Sequence, residues 1–474
     1  LLLVARCSRL KKKNLALLKS ISGIRGTIGG YAGDNLTPED IVSCTAAFGY
    51  WVLQNGHTPK VVIGRDGRIS GAIVSNLVSN TLLSLGIDVV DLGYSTTPTV
   101  EMAVVWEQAG AGIILTASHN PMEWNALKLL NHKGEFISQA DGEAFLKLLE
   151  QKEIRYAEVT KLGKYSTADG YIGRHVDAIL AMDWVDATAI RKRKFKIVVD
   201  CINSTGALAV PHLLRELDCE VILLNAEING QFAHNPEPLP AHLQDLVQAV
   251  ATEKADLGIA VDPDVDRLAL VSENGELFGE EYTLVAVADY VLQHQKGATV
   301  SNLSSSRALR DITQQHGCQY FAAAVGEVNV VMKMKEVNAI IGGEGNGGII
   351  VPELHYGRDA LAGIALVLAH LAKSDQKLSA LRKRYPNYPM VKDKIALTPD
   401  MDVENLLQTL HKHYKNEQLD TQDGLKIDFP DGWLHLRKSN TEPIIRIYAE
   451  GTNEAQVQKL ISDIHQVVNN ILKV

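Results

Sequence analysis

The sequence predicts an α/β protein with three similar mixed-sheet domains, followed by a fourth module of α+β type. Three observations carry that prediction. A β-branched run, a polar turn, an amphipathic helix and a second apolar run recur in that order at residues 61–90, 197–224 and 300–321. Within each stretch the strand starts lie about 20 to 27 residues apart, which suits a βαβ unit with a short crossover helix. The pattern then changes after the charged segment 373–388, which ends among Pro386 and Pro389. A length of 474 residues alone would suggest only about three domains.

The elements follow in chain order. Val61-Val62-Ile63 and Ile87-Asp88-Val89-Val90 are the first strand pair, and Gly112-Ile113-Ile114-Leu115 is a buried strand feeding a polar loop. Polar residues 151–164 separate this domain from the next, which is built on Ile197-Val198-Val199 and Val221-Ile222-Leu223. Residues 251–256 read as the next boundary, after which 257–261 and 268–272 are strands around an acidic loop. Val300-Ser301-Asn302-Leu303 and Cys318-Gln319-Tyr320-Phe321 form the third unit. The tail reads as a helix over 401–414, strands over 425–429, 433–437 and 444–450, and a last helix over 453–472. Strands joined antiparallel with helices alongside make an α+β module. The expected domains are residues 1–155, 156–255, 256–380 and 381–474.

Composition bounds the function. Lys plus Arg total 47 against 56 Asp plus Glu, a net charge of −9, with 46% hydrophobic residues. That balance argues against nucleic acid or a membrane surface as partner, because both need a basic face. Small anionic substrates need only a local positive pocket. The five cysteines are scattered with no CxxC pair, which reads as reduced thiols of a cytoplasmic protein. The near-apolar stretch 360–372 contains His370 and is too short to span a bilayer. The first 19 residues hold six basic and no acidic residues. They read as an over-called start or a processed leader; without them the charge is 41 minus 56, or −15.

Four loops carry candidate chemistry. In Asp262-Pro263-Asp264-Val265-Asp266-Arg267, carboxylates on alternate positions can converge on a hard cation such as Mg²⁺ or Ca²⁺. An EF-hand is excluded, because Arg267 stands where the loop needs glycine; a solvated acidic turn stays open. In Thr116-Ala117-Ser118-His119-Asn120-Pro121, Ser118 is a candidate nucleophile or phosphoryl carrier, although no GxSxG surrounds it. Neighbours on extended chain point apart, so a Ser118–His119 pair is not expected. Arg437, Lys438, Ser439, Asn440, Thr441 and Arg446 form a dense donor set for a phosphate dianion, or an exposed polar hairpin. Gly342-Gly343-Glu344-Gly345-Asn346-Gly347-Gly348 matches neither GxGxxG nor a P-loop; Glu344 and Asn346 suit sugar hydroxyls, and a plain flexible turn is the alternative. Gly64-Arg65-Asp66-Gly67-Arg68 and Ser22-Gly23-Ile24-Arg25-Gly26 read, taken alone, as surface salt bridges.

Taken in chain order, the four loops resemble the α-D-phosphohexomutase superfamily, the phosphoglucomutase and phosphomannomutase group, over nearly the whole chain from Ile21. The resemblance implies four domains around a central cleft, the last related to TATA-binding-like modules. It implies that Ser118 carries the phosphoryl group and that Asp262, Asp264 and Asp266 bind Mg²⁺ with the phosphoserine. Glu344, Asn346 and His119 would then contact the sugar, and Arg437, Ser439, Asn440, Thr441 and Arg446 the phosphate. Lys128 matches a basic acid–base position, and Arg25 and Arg267 match cleft-lining ones. The implied reaction moves a phosphoryl group between Ser118 and a hexose monophosphate through a hexose 1,6-bisphosphate that reverses in the cleft. A monomer or homodimer is expected.

Two departures bear on the chemistry. Many members read Gly-Glu-x-Ser-Gly-His in the sugar loop, whereas Gly348 here removes the histidine, so Lys128 or His355 would take over proton transfer. Ala126 stands where glycine is common. The Gly-Glu-Gly-Asn-Gly-Gly and Arg-Lys-Ser-Asn-Thr-Glu-Pro forms together resemble phosphoglucosamine mutases of the archaeal type. Glucosamine 6-phosphate is therefore the favoured substrate, with mannose or glucose phosphates next. A non-catalytic sugar-phosphate sensor and a sugar phosphatase are rival readings from other classes.

Overall fold

A computed structural model of the chain describes residues 16–20, 23–151, 153–398, 401–439 and 444–472. Most of the basic leader therefore lies outside the described residues. The chain divides into two compact units. One holds the residues up to Ser95 with Val100–Asp169 and Asn229–Phe232; the other holds Thr96–Thr99, Gly170–Ile228 and everything from Ala233 on.

The first unit is built on one mixed sheet of seven strands. Lys60–Arg65, the helix Gly71–Ser84 and Asp88–Tyr94 form the expected βαβ unit, with the two strands parallel. Val61, Val62 and Ile63 are all fully buried, as a strand covered on both faces requires. Ala111–Leu115 then pairs parallel with Lys60–Arg65 and antiparallel with Trp124–Leu130. Gly23–Thr27 and Leu18–Ser20 extend one edge, and Tyr165–Thr167 the other.

The second unit repeats this core twice. Lys196–Asp200 and Glu220–Leu224 run parallel around the helix Gly206–Glu216; Leu257–Val261 and Leu268–Ser272 close the sheet as a hairpin. Thr299–Asn302 and Tyr320–Ala323 do the same around Ala308–Gln315, closed by Ile341–Glu344 and Gly348–Ile350. In all three sheets the core strands lie in the order fourth, third, first, second. One consequence decides the site: the serine, aspartate and glycine-rich loops each join the third and fourth strands of a repeat. The topology puts them at one equivalent position.

The expected boundary at residues 255 and 256 is corrected here. Leu257–Val261 hydrogen-bonds to Lys196–Asp200, so the aspartate loop belongs to the second repeat and not to a third domain beginning at 256. The polar residues that suggested a linker are the end of helix Gln244–Glu253 and its left-handed cap at Lys254, φ 52°. The second and third repeats also share one hydrophobic core. Its centre is the helix Ala360–Ser374, buried along nearly its whole length and capped by Asp359 Oδ1, which accepts from the Leu361 and Ala362 amides. None of the described helices is long and apolar enough to cross a membrane.

The last module is a five-stranded antiparallel sheet covered by helices Val403–His413 and Glu454–Leu472. Leu425–Phe429, Gly432–Lys438 and Ile444–Gly451 match expectation. The edge strands Met390–Ala396 and Gln418–Asp420 were not foreseen. Lys392, Asp393 and Lys394 make the first of these read as loop, although charge on an edge strand is the usual guard against further pairing.

Candidate active site

The serine loop follows the strand Ala111–Leu115 in the first unit. Ser118 is buried and adopts φ 48°, a strained left-handed conformation uncommon outside glycine. Its amide donates to Thr116 Oγ1 at 2.9 Å. The turn also brings Ser118 Oγ to 3.3 Å from His119 Nδ1. The expectation that neighbours point apart fails, because it assumed extended chain.

What holds this turn is a residue the sequence reading placed on the surface. Arg68 is buried, and its side chain makes five hydrogen bonds. Nη2 donates to the Ser118 and Asn120 carbonyls at 2.6 Å each; Nη1 donates to Pro121 and Trp124 carbonyls at 2.7 and 2.8 Å. Nε donates to Asp66 Oδ2 at 3.0 Å, an oxygen that also accepts from Thr116 Oγ1 at 2.6 Å, while Asp66 Oδ1 accepts the Arg68 amide at 3.0 Å. Arg25 Nη1 donates to Asn120 Oδ1 at 2.8 Å. Lys128 is buried on the neighbouring strand, paired with Gly23, with Nζ 5.8 Å from the Phe136 ring centre.

In the second unit, Asp262, Asp264 and Asp266 are all fully buried, and one oxygen from each lies within 4.8 Å of the others. The solvated acidic turn is ruled out. The loop closes on itself: Asp262 Oδ1 accepts from the Asp266 and Arg267 amides, both at 3.1 Å. Val265 sits at φ 62°, a genuine outlier for a β-branched residue. Thr97 Oγ1 donates to Asp264 Oδ2 at 2.5 Å, and the hydroxyls of Ser204 and Thr205 donate to the Pro263 carbonyl. Three buried carboxylates repel one another unless a cation joins them. An all-oxygen donor set of this kind fits Mg²⁺. Arg267 Nη1 lies 3.5 Å from Glu237 Oε1.

The glycine-rich loop is not a flexible turn. Gly347 has φ 82°, and a Cβ there would stand 2.2 Å from the Leu268 carbonyl oxygen; its own carbonyl accepts from the Leu268 amide at 3.1 Å. The loop is thus laid against the outgoing strand of the aspartate loop. Glu344 is buried with both oxygens engaged: Oε1 accepts from Asn302 Nδ2 and the Gly326 amide, and Oε2 from Arg358 Nη1 at 2.8 Å. Asn346 Oδ1 accepts from the Gly348 amide at 3.2 Å.

Arg358 is a second residue that motif reading missed. Nη2 donates to Asp266 Oδ2 at 2.7 Å, Nη1 reaches Glu344, and Nε lies 3.2 Å from Glu327 Oε2. Burial by itself lowers its pKa, but Asp266, Glu327 and Glu344 outweigh that and raise it well above the ordinary arginine value. Beneath the loop, Glu281 accepts from the Ser306 amide at 2.9 Å, and burial pushes its carboxyl up to about 8. His355 Nε2 lies 3.3 Å from Asp359 Oδ2, which also pairs with His175 Nε2 at 2.8 Å. Burial raises the Asp359 carboxyl, but the two histidines override it and hold it well below the usual range.

The arginine-bearing loop proposed to take phosphate joins Gly432–Lys438 to Ile444–Gly451; Asn440 and Thr441 lie outside the described residues. Arg437 and Arg446 are directly opposed across the two strands. Like charges in that position are destabilising without an anion between them. Arg437 Nε is buried and has no hydrogen-bond partner among the described residues. Ser439, also buried, donates its amide to the Ile444 carbonyl at 2.9 Å.

Comparison with known proteins gives the same family over most of the chain. The four phosphoglucomutase/phosphomannomutase domain models match in order: alpha/beta/alpha domain I at residues 17–155, II at 173–275, III at 279–388 and the C-terminal domain at 391–467. A phosphoglucomutase/phosphomannomutase of Thermococcus kodakarensis is 36% identical, covering 92% of this chain and 96% of that protein. A probable phosphoglucosamine mutase of Methanopyrus kandleri is 33% identical, covering 95% and 98%. The crystal structure of a phosphoglucomutase/phosphomannomutase family protein from Burkholderia thailandensis superposes with a TM-score of 0.83 at 26% identity, covering 97% of each chain.

Proposed function

This chain belongs to the phosphoglucomutase/phosphomannomutase family, and on that premise we propose that it interconverts glucosamine 6-phosphate and glucosamine 1-phosphate through a phosphoserine at Ser118. It is a phosphohexomutase, an isomerase. The observation that carries the proposed mechanism is the serine loop, where Ser118 is held in a left-handed turn by the buried Arg68. A group preset in that way loses little freedom when it reacts.

In the first half-reaction the phosphoserine P–O bond breaks and a bond forms from phosphorus to the free sugar hydroxyl. The hydroxyl proton passes to a base, for which Lys128 is the candidate, a proton returns to the departing Ser118 Oγ, and the product is the 1,6-bisphosphate. The reverse transfer to Ser118 then takes the other phosphate. Bound Mg²⁺, held by Asp262, Asp264 and Asp266, would offset the charge of the transferring group. Arg437, Ser439 and Arg446, with Asn440 and Thr441, hold the distal phosphate. Glu344 contacts a sugar hydroxyl in this reading, and Asn346 and His119 add contacts. Arg25 and Arg267 supply positive charge near their loops. A cytoplasmic site of action belongs to the same reading, supported by four free cysteines among the described residues.

A second reading, glucose and mannose phosphates as preferred substrates, is favoured by the name of the Thermococcus relative. A coupled assay comparing the 1-phosphates of glucosamine, glucose and mannose at equal concentration decides between them. Ser118→Ala is expected to lose isomerisation while keeping its melting temperature. Full turnover in that variant would sink the phosphoserine reading, and release of free phosphate by the unaltered protein would favour a phosphatase.

A further inference from the structure

The aspartate and sugar loops meet at one guanidinium. Arg358 donates to Asp266 Oδ2 at 2.7 Å and to Glu344 Oε2 at 2.8 Å. Its rotamer is fixed from a third side by Glu327, whose Oε2 lies 3.2 Å from Nε and whose Oε1 accepts the Arg358 amide at 2.9 Å. The next residue, Asp359, caps the buried helix Ala360–Ser374. The side chain is therefore anchored at backbone, stem and head. The sugar loop is built around it, since a Cβ on Gly348 would stand 2.3 Å from Arg358 Cδ. The position where many relatives carry histidine is sterically closed by this arginine.

We propose that Arg358 is a positioning residue that weakens cation binding by the aspartate loop while holding Asp266 and Glu344 in register. The inference rests on the reading that the three aspartates hold Mg²⁺. A fixed positive charge hydrogen-bonded to one ligand draws on the oxygen charge that would face the metal, and it repels a divalent ion directly. In a buried site that repulsion is only partly screened. A guanidinium has five donors in a rigid fork, so it can serve Asp266, Glu344 and Glu327 together where an ammonium cannot. The loops are then held together at the cost of metal affinity.

The test is calorimetric titration of the full chain with Mg²⁺ and Mn²⁺ in the absence of sugar phosphate, a readout independent of turnover. Arg358→Gln is expected to bind the cation at least about tenfold more tightly than the unaltered protein. Glu327→Gln is expected to bind it more weakly, because Arg358 is left with one anion fewer and bears harder on Asp266. A merely structural role would weaken binding in both. Folded Arg358→Gln protein with affinity equal to or below that of the unaltered chain overturns the proposal. Should that variant not fold, the charge-free Arg358→Met decides: tighter binding supports the proposal, unchanged or weaker binding overturns it. Asp264→Asn separates the premise from the inference. If the unaltered protein binds no cation, or Asp264→Asn binds as well as it does, the metal reading itself fails and the role of Arg358 falls with it.

Discussion

Arg68→Lys is the substitution that most directly probes how the serine loop is held. The guanidinium serves five acceptors, four of them main-chain carbonyls at 2.6–2.8 Å. An ammonium has three donors on one atom, so at least two of those acceptors lose their partner. A buried acceptor left unpaired costs about 1–3 kcal/mol, which puts the total at about 2–6 kcal/mol. For a unit of this size that lowers the melting midpoint by at least about 4 °C. The carbonyls of Ser118 and Asn120 are among those at risk, so the loop itself shifts. A misplacement of about 1 Å at a reacting group costs roughly a hundredfold in rate. The assay is differential scanning calorimetry beside steady-state turnover of the sugar phosphate. Arg65→Lys is the control from the same motif: Arg65 stacks 3.9 Å above the Tyr94 ring, a contact worth only about 0.5–1 kcal/mol at a part-exposed site. Arg68→Lys with an unchanged melting midpoint and turnover within about threefold of normal would refute this account of the loop, whose reasoning assigns each lost carbonyl its own cost.

Arg446→Met is expected to raise the KM for sugar phosphate by at least about tenfold, the loss of one charge-assisted phosphate contact. It should leave the melting temperature unchanged or higher, because it also removes the like-charge pair with Arg437; a lower melting temperature with normal KM contradicts a phosphate role. His435 supplies a pH dependence. It lies buried between Ser304 Oγ at 2.8 Å and the Asp423 carbonyl at 2.6 Å, and burial pushes its pKa down from 6.5 to about 4. The unfolded chain therefore binds the proton first, so this stability is complete above about pH 6.5 and is lost as pH falls toward 4. Urea denaturation at pH 7, 5.5 and 4.5 should show that loss, and His435→Gln should flatten it; equal slopes in both proteins would exclude His435 as the source.

Much of the fold was legible because it is written in local pattern. The three βαβ units, the strands around the aspartate loop and the strands Leu425–Phe429 and Gly432–Lys438 all show as apolar runs with turn residues between them. The edge strand Met390–Ala396 did not, since alternating charge hides a strand that has only one neighbour. The boundary at 255 and 256 was misplaced for a related reason. Helix ends and linkers share the same polar residues, and only the pairing of Leu257–Val261 with Lys196–Asp200 tells them apart. Of the candidate site, the three aspartates and Ser118 stood out because short-range spacing is itself the signal for convergent ligands or a polar turn at a strand end.

Arg68 and Arg358 were invisible for a reason that is physical and general. An arginine is buried only where acceptors surround it, and those acceptors come from segments distant in sequence. For Arg68 they are carbonyls of residues 118–124, about fifty positions on; for Arg358 they are Asp266, Glu327 and Glu344. Nothing in Gly64-Arg65-Asp66-Gly67-Arg68 marks the second arginine as the buried one and the first as the stacked one. Yet each buried guanidinium does what a loop cannot do for itself. Serine and aspartate loops at strand ends present carbonyls and charges that the loop cannot satisfy alone, and a rigid fork of donors serves several at once in one geometry. The candidate side chains are thereby held in one geometry by the fold itself. The residues that make a catalytic loop recognisable are thus not the ones that make it rigid, and only the second kind depends on the fold.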